Sequence, residues 1–432
     1  MEKHLVFLMM IWMTCKVSTL YSQDISSLHL QGTMPGTLLN PAMPLNKKIN
    51  ISLGSFAVAG GTNGPSVNEM TSKNQDGKRY LDIDKLNANL DESHDIYATS
   101  NIRTIDAAVK IGSFVLMGGH GFRADANLRY TADLVNLASY GNAPYIGKTL
   151  ELGPVADVMA YNELYLGAQK TSGRFTIGLK AKLLYGISNI STESSDVKFT
   201  TSDEYYQLQF KNNYILRSSG LLRYNGIDSI TIDQSYISFD NLFYNNRGLA
   251  VDLGVAFQVN KNFLISASAL DLGSIKWDFF PRKYSSIGTF SFEGVDLVDY
   301  IVDSTLSVKD TLLDLIKVKS EIETYSTTLN NTFTLGGRYT KDNWNFNLLY
   351  MMRNQYGFRN HALSVSVLRK IWVFDLGIQY RLAKNDYSAI GFYTKLNLGP
   401  FAAYIGADNV VGMFKPLDSK SASVRFGSLL QF

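Results

Sequence analysis

From Ile49 to Phe432 the chain repeats one pattern: segments in which apolar and polar residues alternate with period two, joined in turn by tight and by long connections. Alternation at this period makes a β-strand with one apolar face. From Arg174, Phe175, Ile177, Leu179, Ala181, Leu183 and Tyr185 share a face opposite Thr176, Gly178, Lys180 and Lys182. Leu249, Val251, Leu253, Val255, Phe257 and Val259 oppose Asp252, Gly254 and Gln258. Trp344, Phe346, Leu348, Tyr350 and Met352 oppose Asn343, Asn345, Asn347 and Arg353.

The connections carry a second signal. Tight joints are expected at Gly112-Ser113, Thr171-Ser172-Gly173, Asn260-Lys261-Asn262, Lys341-Asp342-Asn343, Arg369-Lys370 and Gly399-Pro400. Between them fall long polar excursions, near residues 60–101, 125–160, 189–246, 274–329, 354–360, 382–386 and 411–421. One consistently tight end is the mark of an all-β, transmembrane, antiparallel up-and-down β-barrel of the outer membrane, with short periplasmic turns and long external loops. A soluble sandwich would keep connections of similar length at both ends. About fourteen strands are predicted over 49–432. Residues 197–210 and 229–239 are assigned to an external β-hairpin; were they to cross the membrane, the count would be sixteen. Phe175 and Tyr185, ten residues apart on one face, would stand roughly 25 Å apart across the bilayer, as an aromatic girdle requires.

Helices are expected only outside the wall. Val308, Leu312, Leu315 and Ile316 recur at helical spacing, a shorter helix is expected over Val295–Val302, and Leu150–Tyr161 is a weaker candidate.

Composition narrows the compartment. The apolar run Leu5–Met13 follows Lys3 and precedes Leu20-Tyr21-Ser22-Gln23, which reads as a signal peptide over 1–23. Cleavage there removes Cys15, the only cysteine, and with it thiol catalysis and Cys-ligated metal. Thr14 and Met13 are not the small residues that lipidation of Cys15 needs. A net charge of +3 over 432 residues gives no case for nucleic acid.

Catalytic constellations are missing from the sequence. His29, His94, His120 and His361 lie far apart, with no pair at metal-ligand spacing. There is no G-x-S-x-G elbow and no H-E-x-x-H helix. Ser195-Asp196-Val197-Lys198 matches S-x-x-K without companion motifs. No enzyme, cofactor or metal is expected.

The C-terminus is the sharpest local motif. Val424, Phe426, Leu430 and Phe432 share one face of a last strand that ends in an aromatic, which resembles the signal read by the barrel-assembly machinery. Upstream, residues 24–48 contain Asn40-Pro41-Ala42 shortly before the first strand. This motif resembles the N-terminal segment of FadL-type barrels, the long-chain fatty-acid channels and their relatives, including the PorV-type proteins of type IX secretion. Chain order, the C-terminal signal and Asp271-Leu272-Gly273 followed by Trp277 are similar to an uncharacterised, domain-of-unknown-function branch of these proteins. The resemblance implies an N-terminal hatch carrying Asn40, Pro41 and Ala42. Pro41 fixes its own φ and biases Asn40 to extended geometry, which suits a hatch or a simple turn into the first strand. Two functions follow as expectations for a monomer in outer-membrane lipid. One is a channel for small hydrophobic molecules through a hatch-occluded lumen or a lateral wall opening; the other is a binding or shuttle barrel whose loops engage a secreted protein.

Overall fold

The computed structural model describes residues 29–432 apart from 31, 225–229, 234, 235, 237, 293–317, 357, 384 and 385. Fourteen antiparallel strands form the wall. They are β1 (Ile49–Thr62), β2 (Ser93–Ile111), β3 (Phe114–Thr131), β4 (Val155–Ser172), β5 (Phe175–Thr201), β6 (Arg247–Gln258), β7 (Phe263–Trp277), β8 (Thr332–Lys341), β9 (Trp344–Gln355), β10 (Phe358–Ile371), β11 (Phe374–Ala383), β12 (Asp386–Leu398), β13 (Phe401–Ala407) and β14 (Ser421–Gln431). Each pairs with its neighbour in the chain, and β14 pairs back onto β1 from Gln431 opposite Asn50 to Ser421 opposite Gly61. Ile49 and Phe432 exchange backbone hydrogen bonds of 3.0 and 2.9 Å at the seam. Closure matters because an open edge would leave backbone donors and acceptors unpaired in lipid.

The wall is built inside out relative to a soluble protein. On β5, Ile177 is 61% exposed, whereas Lys180 is 1% exposed. Leu249, Leu253 and Val255 likewise face outward on β6, while Asp252 is buried. An apolar outer band and a charged interior are what a lipid-embedded barrel requires. Phe114, Phe175, Trp344, Phe374 and Phe401, all exposed, stand beside the tight turns and form one aromatic girdle.

Most of the tight joints fall where the sequence places them. Gly112, Gly173, Asp342 and Gly399 take φ of 60°, 58°, 52° and 60°, the left-handed conformation that two-residue hairpins demand. The joint expected at Arg369-Lys370 is an exception. Lys370 pairs with Asp375 and Ile371 with Phe374, so the turn is Trp372-Val373. Two further pairs extend the ladder, and the 93% exposed Trp372 is carried to the interface, where indole is favoured.

External structure resolves the strand count. β5 continues beyond its ladder with β6, which ends at Tyr185, to Thr201 and folds back as Leu208–Gly220, which in turn pairs with Arg282–Phe292. The hairpin exists, but its return arm is 208–220 rather than 229–239; Ile230–Ile232 pairs instead with Leu222–Tyr224. Neither crosses the wall, so the sixteen-strand alternative is overturned. Leu150–Tyr161 is not a helix either: Thr149–Glu151 pairs with β5, and β4 already begins at Val155. Its apolar residues belong to a period of two, with Asp157, Met159 and Tyr161 all buried. The helix of that excursion is Ala132–Tyr140, capped by Thr131, whose Oγ1 accepts from the Leu134 N–H. The helices expected within 295–302 and 308–316 lie outside the described residues.

Candidate functional site in the lumen

The N-terminal segment lies against the inner face of the wall, in its tight-turn half. Met34–Leu38 forms one 3-10 turn with Pro35 in its first positions, where a missing N–H costs nothing. Leu30 packs with Leu368, Ala402 and Leu429; Met34 with Ala108, Val115 and Met117; and Leu39 with Leu349 and Met351. Strands distant in sequence thus grip one short piece of chain. His29 stacks on Tyr393 with ring centroids 5.2 Å apart.

Polar groups fix its position. Asn40 Nδ2 donates to the Ala267 carbonyl at 2.9 Å, while its Oδ1 accepts from the Ala42 N–H at 2.8 Å. Gln169 donates to the Ala42 carbonyl, Ser268 to the Leu39 carbonyl and Lys180 to the Thr37 carbonyl, at 2.9, 2.8 and 2.9 Å. Two wall glycines make room. A Cβ at Gly178 would overlap the Pro41 backbone, and one at Gly254 would overlap Asn40 Oδ1.

Above this segment the lumen is crossed by a layer of buried charge. Arg103 bridges Asp106 at 2.7 Å and Glu163 at 2.8 Å. Arg123 bridges Asp271 at 2.7 Å, and Lys182 reaches Asp271 at 2.6 Å, Asp252 at 2.8 Å and Glu163 at 3.5 Å. Tyr165 donates to Asp106 at 2.9 Å and carries Lys180 over its ring at 4.7 Å, linking the layer to the segment beneath. Burying so many charges is tolerable only because each meets an opposite partner.

One backbone feature aims this layer. Asp271 adopts φ 59° at a β6–β7 register shift, and its N–H donates to Asp252 Oδ1 at 2.8 Å. The bulge turns both carboxylates towards Lys182. Two residues on, a Cβ at Gly273 would overlap the Leu249 carbonyl, so only glycine fits. Trp277 is fully buried over Gly186, with its indole N–H on Thr327 at 2.7 Å. The Asp271-Leu272-Gly273 stretch and Trp277 are therefore one device for bending the wall and filling its outer half.

At the external mouth lies a cavity of about 700 Å³, bordered by Asp157, Met159, Asn189, Asn330 and Tyr356. Depth can be read along single strands. On β4 the order is Asp157 and Met159 at the cavity, Glu163 in the charged layer and Gln169 at the N-terminal segment. On β5 it is Asn189, Lys182 and then Lys180 and Gly178.

The residues singled out from sequence separate into two places. Asn40, Pro41 and Ala42 come together inside the lumen with Gly178 and Gly254. Val424, Phe426 and Leu430 sit on β14 and Phe432 follows its last residue, with Phe426 and Phe432 exposed. The charged layer was not recognised as a unit, although Lys180, Lys182 and Asp252 already stood on polar faces. Only the strand pairing shows that they meet. Among the described residues no group of His, Cys, Asp or Glu could hold a metal ion.

Solved structures with a similar fold include the monoaromatic hydrocarbon channel TodX as a deltaS2S3 mutant, 8% identical with a TM-score of 0.45, covering 92% of this chain and 94% of that one. A Pseudomonas aeruginosa FadL homologue is 9% identical with a TM-score of 0.42 over the same shares, 92% and 94%. The Pseudomonas putida toluene transporter TodX is 8% identical with a TM-score of 0.38, covering 96% and 94%. No curated protein matches the sequence. Residues 41–408 match the family of unknown function DUF5723, a span that takes in the Asn40-Pro41-Ala42 motif from Pro41 onward and nearly all of the wall, and the chain belongs to that family.

Proposed function

We propose that this protein resides in the outer membrane and admits a small molecule through its external mouth, with the segment 29–46 acting as a hatch that shifts to let it pass. The observation that carries this reading is how the segment is held. It crosses the lumen as a separate piece of chain, seated by a few hydrogen bonds from Lys180, Gln169 and Ser268 and by Asn40, and it contributes no strand to the wall. Such a piece can move while the ladder stays closed. A hydrophobic cargo has less support, because the layer around Lys182 and Glu163 lies between the mouth and the hatch.

The same layer favours a second reading, a binding barrel whose loops engage a protein partner while the lumen stays shut. A clamp separates the two. Ala42 and Ala256 belong to one apolar cluster, so Ala42→Cys with Ala256→Cys should tie the segment to β6 on oxidation. In proteoliposomes, swelling driven by small solutes should stop on oxidation and resume on reduction. Equal swelling in both states, or none in either, would remove the hatch and leave the docking barrel.

A further inference from the structure

We propose that the helical turn Phe239–Phe243 is a lipid anchor, seated on the outside of the barrel at the headgroup–acyl boundary of the external leaflet. This rests on the outer-membrane residence in the reading above, and it adds a contact with the bilayer that the strands do not make. The wall itself marks the boundary. Leu164 of β4, Leu183 of β5 and Leu249 of β6 pair in one row, and all three are exposed, at 38%, 50% and 66%. Two residues nearer the mouth, the next outward row is Asn162, Tyr185 and Arg247. Leucine gives way there to polar and aromatic side chains, so the apolar band ends between the two rows. Phe175 and Phe257, paired beside the tight turns, lie ten residues below Tyr185 and Arg247 on their strands. That separation is roughly 25 Å across the membrane, the height of the band.

The helical turn is folded onto the outside of this boundary row. Asn162 Nδ2 donates to the Leu242 carbonyl at 3.0 Å, and Arg247 Nε donates to the Tyr244 carbonyl at 2.9 Å. The Phe243 ring packs on Tyr185 and on His120, with centroids 6.3 and 5.6 Å apart. His120 pairs with Leu164, so it too faces outward. At the start of the turn, Ser238 Oγ accepts from the Asn241 N–H at 3.3 Å. The chain then enters the protein at Asn246, which is fully buried. Its Nδ2 donates to the Gly186 carbonyl at 3.2 Å, and its Oδ1 accepts from the N–H groups of Asp278 and Phe279 at 3.0 and 2.9 Å. The turn is therefore bonded to the wall at both of its ends.

What it presents outward is aromatic. Phe239 is 66% exposed and Tyr244 53%, and the Phe239 ring lies 4.9 Å from Phe243 and 6.1 Å from Tyr244, centroid to centroid. These rings stand one row above the exposed leucines, so the patch is continuous with the lipid-facing surface of the wall. Lipid is its occupant on that ground, and the boundary is the depth at which aromatic rings are favoured. Asp240, exposed on the same turn, fits the same depth, because its carboxylate stays hydrated among headgroups and would not among acyl chains.

The test reads depth by electron paramagnetic resonance on the full-length barrel in phosphatidylcholine–phosphatidylglycerol vesicles. In a Cys15→Ser background, which removes the only cysteine, a nitroxide is attached at Phe239→Cys or at Tyr244→Cys, each variant keeping the other aromatic. Leu253→Cys, on the outer face of β6, is the lipid reference. Tyr205→Cys, 80% exposed at the tip of the external hairpin, is the water reference. Both test labels should favour oxygen over a water-soluble nickel chelate severalfold more than the label at Tyr205→Cys does. Retained heat-modifiable migration shows that each variant is folded. A label at either test position that matches Tyr205→Cys would overturn the proposal, as would one that neither reagent reaches, the sign of a protein cover. Water at Leu253→Cys would remove membrane residence and the anchor together, whereas lipid at Leu253→Cys with water at Phe239→Cys removes the anchor alone.

Discussion

Lys180 Nζ donates a 2.9 Å hydrogen bond to the carbonyl of Thr37, although 143 residues separate them. An ammonium on the inner wall thus holds a backbone oxygen of the lumen segment, and the same Nζ also meets Thr37 Oγ1 at 3.3 Å. Lys180→Met should loosen the segment while leaving the ladder intact. The expected outcome is faster proteolysis near Thr37, with unchanged heat-modifiable migration. Unchanged proteolysis would show that the apolar contacts of Met34 and Leu39 suffice to hold it.

The glycine floor gives a second handle. Gly254→Val places side-chain atoms where Asn40 Oδ1 now lies, so it should displace the segment more than Lys180→Met does. Leu253→Arg, one residue away but facing lipid, should instead cost about 2–4 kcal/mol of barrel stability and leave the segment in place. Urea unfolding and limited proteolysis read the two effects separately.

Removing the central cation should be severe. Lys182→Met strips one partner from Asp252, Asp271 and Glu163 at once, and breaking a buried ion pair from one side costs about 3–5 kcal/mol. Adding Asp271→Asn should recover part of the loss, because one buried negative charge goes with it. No recovery in urea unfolding would mean that the layer is solvated.

Trp277 and Gly186 should behave as a coupled pair. Trp277→Ala should cost about 3–5 kcal/mol through lost packing. Gly186→Ala should destabilise more while the indole is present than after its removal, since its Cβ would overlap that ring and would then be left with the Asn246 Cβ at 2.9 Å. Additive losses in the double variant would show that the contact is not what requires glycine.

Acid should loosen the external loop that follows β1. The Glu69 carboxyl is held below its usual range first by the Ser66 N–H, 2.7 Å away, and also by Lys420 at 3.2 Å. A depressed carboxylate pKa contributes stability above the unfolded-state value and loses it as pH falls through the folded one. Proteolysis around Val67–Met70 should therefore quicken in acid, and Glu69→Gln should abolish that dependence. A pH profile identical in both proteins would sink the idea.

Orientation can be checked on cells. Ser195→Cys, on the external hairpin, should label from outside, and Asp342→Cys, in a tight turn, should not. Labelling at Asp342→Cys would invert the barrel.

The wall was legible in the sequence because period two is a local signal, and each spanning strand carries it independently of its partners. Leu249 to Val259 announces its own outward face. The site was legible only in fragments. Asn40-Pro41-Ala42 marked the segment, but Gly178 and Gly254 looked like ordinary strand glycines until the chain they accommodate was in view. Lys182, Asp252, Asp271 and Glu163 lie on four strands, and no spacing in the sequence says that they converge. Asp271 in particular read as part of a family motif, while its role depends on a left-handed φ that non-glycine residues seldom adopt. The helix expected at Leu150–Tyr161 failed for a related reason: a short apolar run fits either period, and pairing with β3 decided it.

The grip of the wall on residues 30–43 also sets an order of assembly. Leu30 touches residues of β10, β12, β13 and β14, while Met34 touches β2, β3 and β4, so the segment's complete seat exists only once the seam at Ile49 and Phe432 has joined. Yet a sealed cylinder whose inner face is crossed by salt bridges leaves little room to thread a peptide afterwards. A segment already lying on the inner face as the sheet closed would be wrapped by it, and its contacts with strands from both ends of the chain would then help bring the first and last of them together.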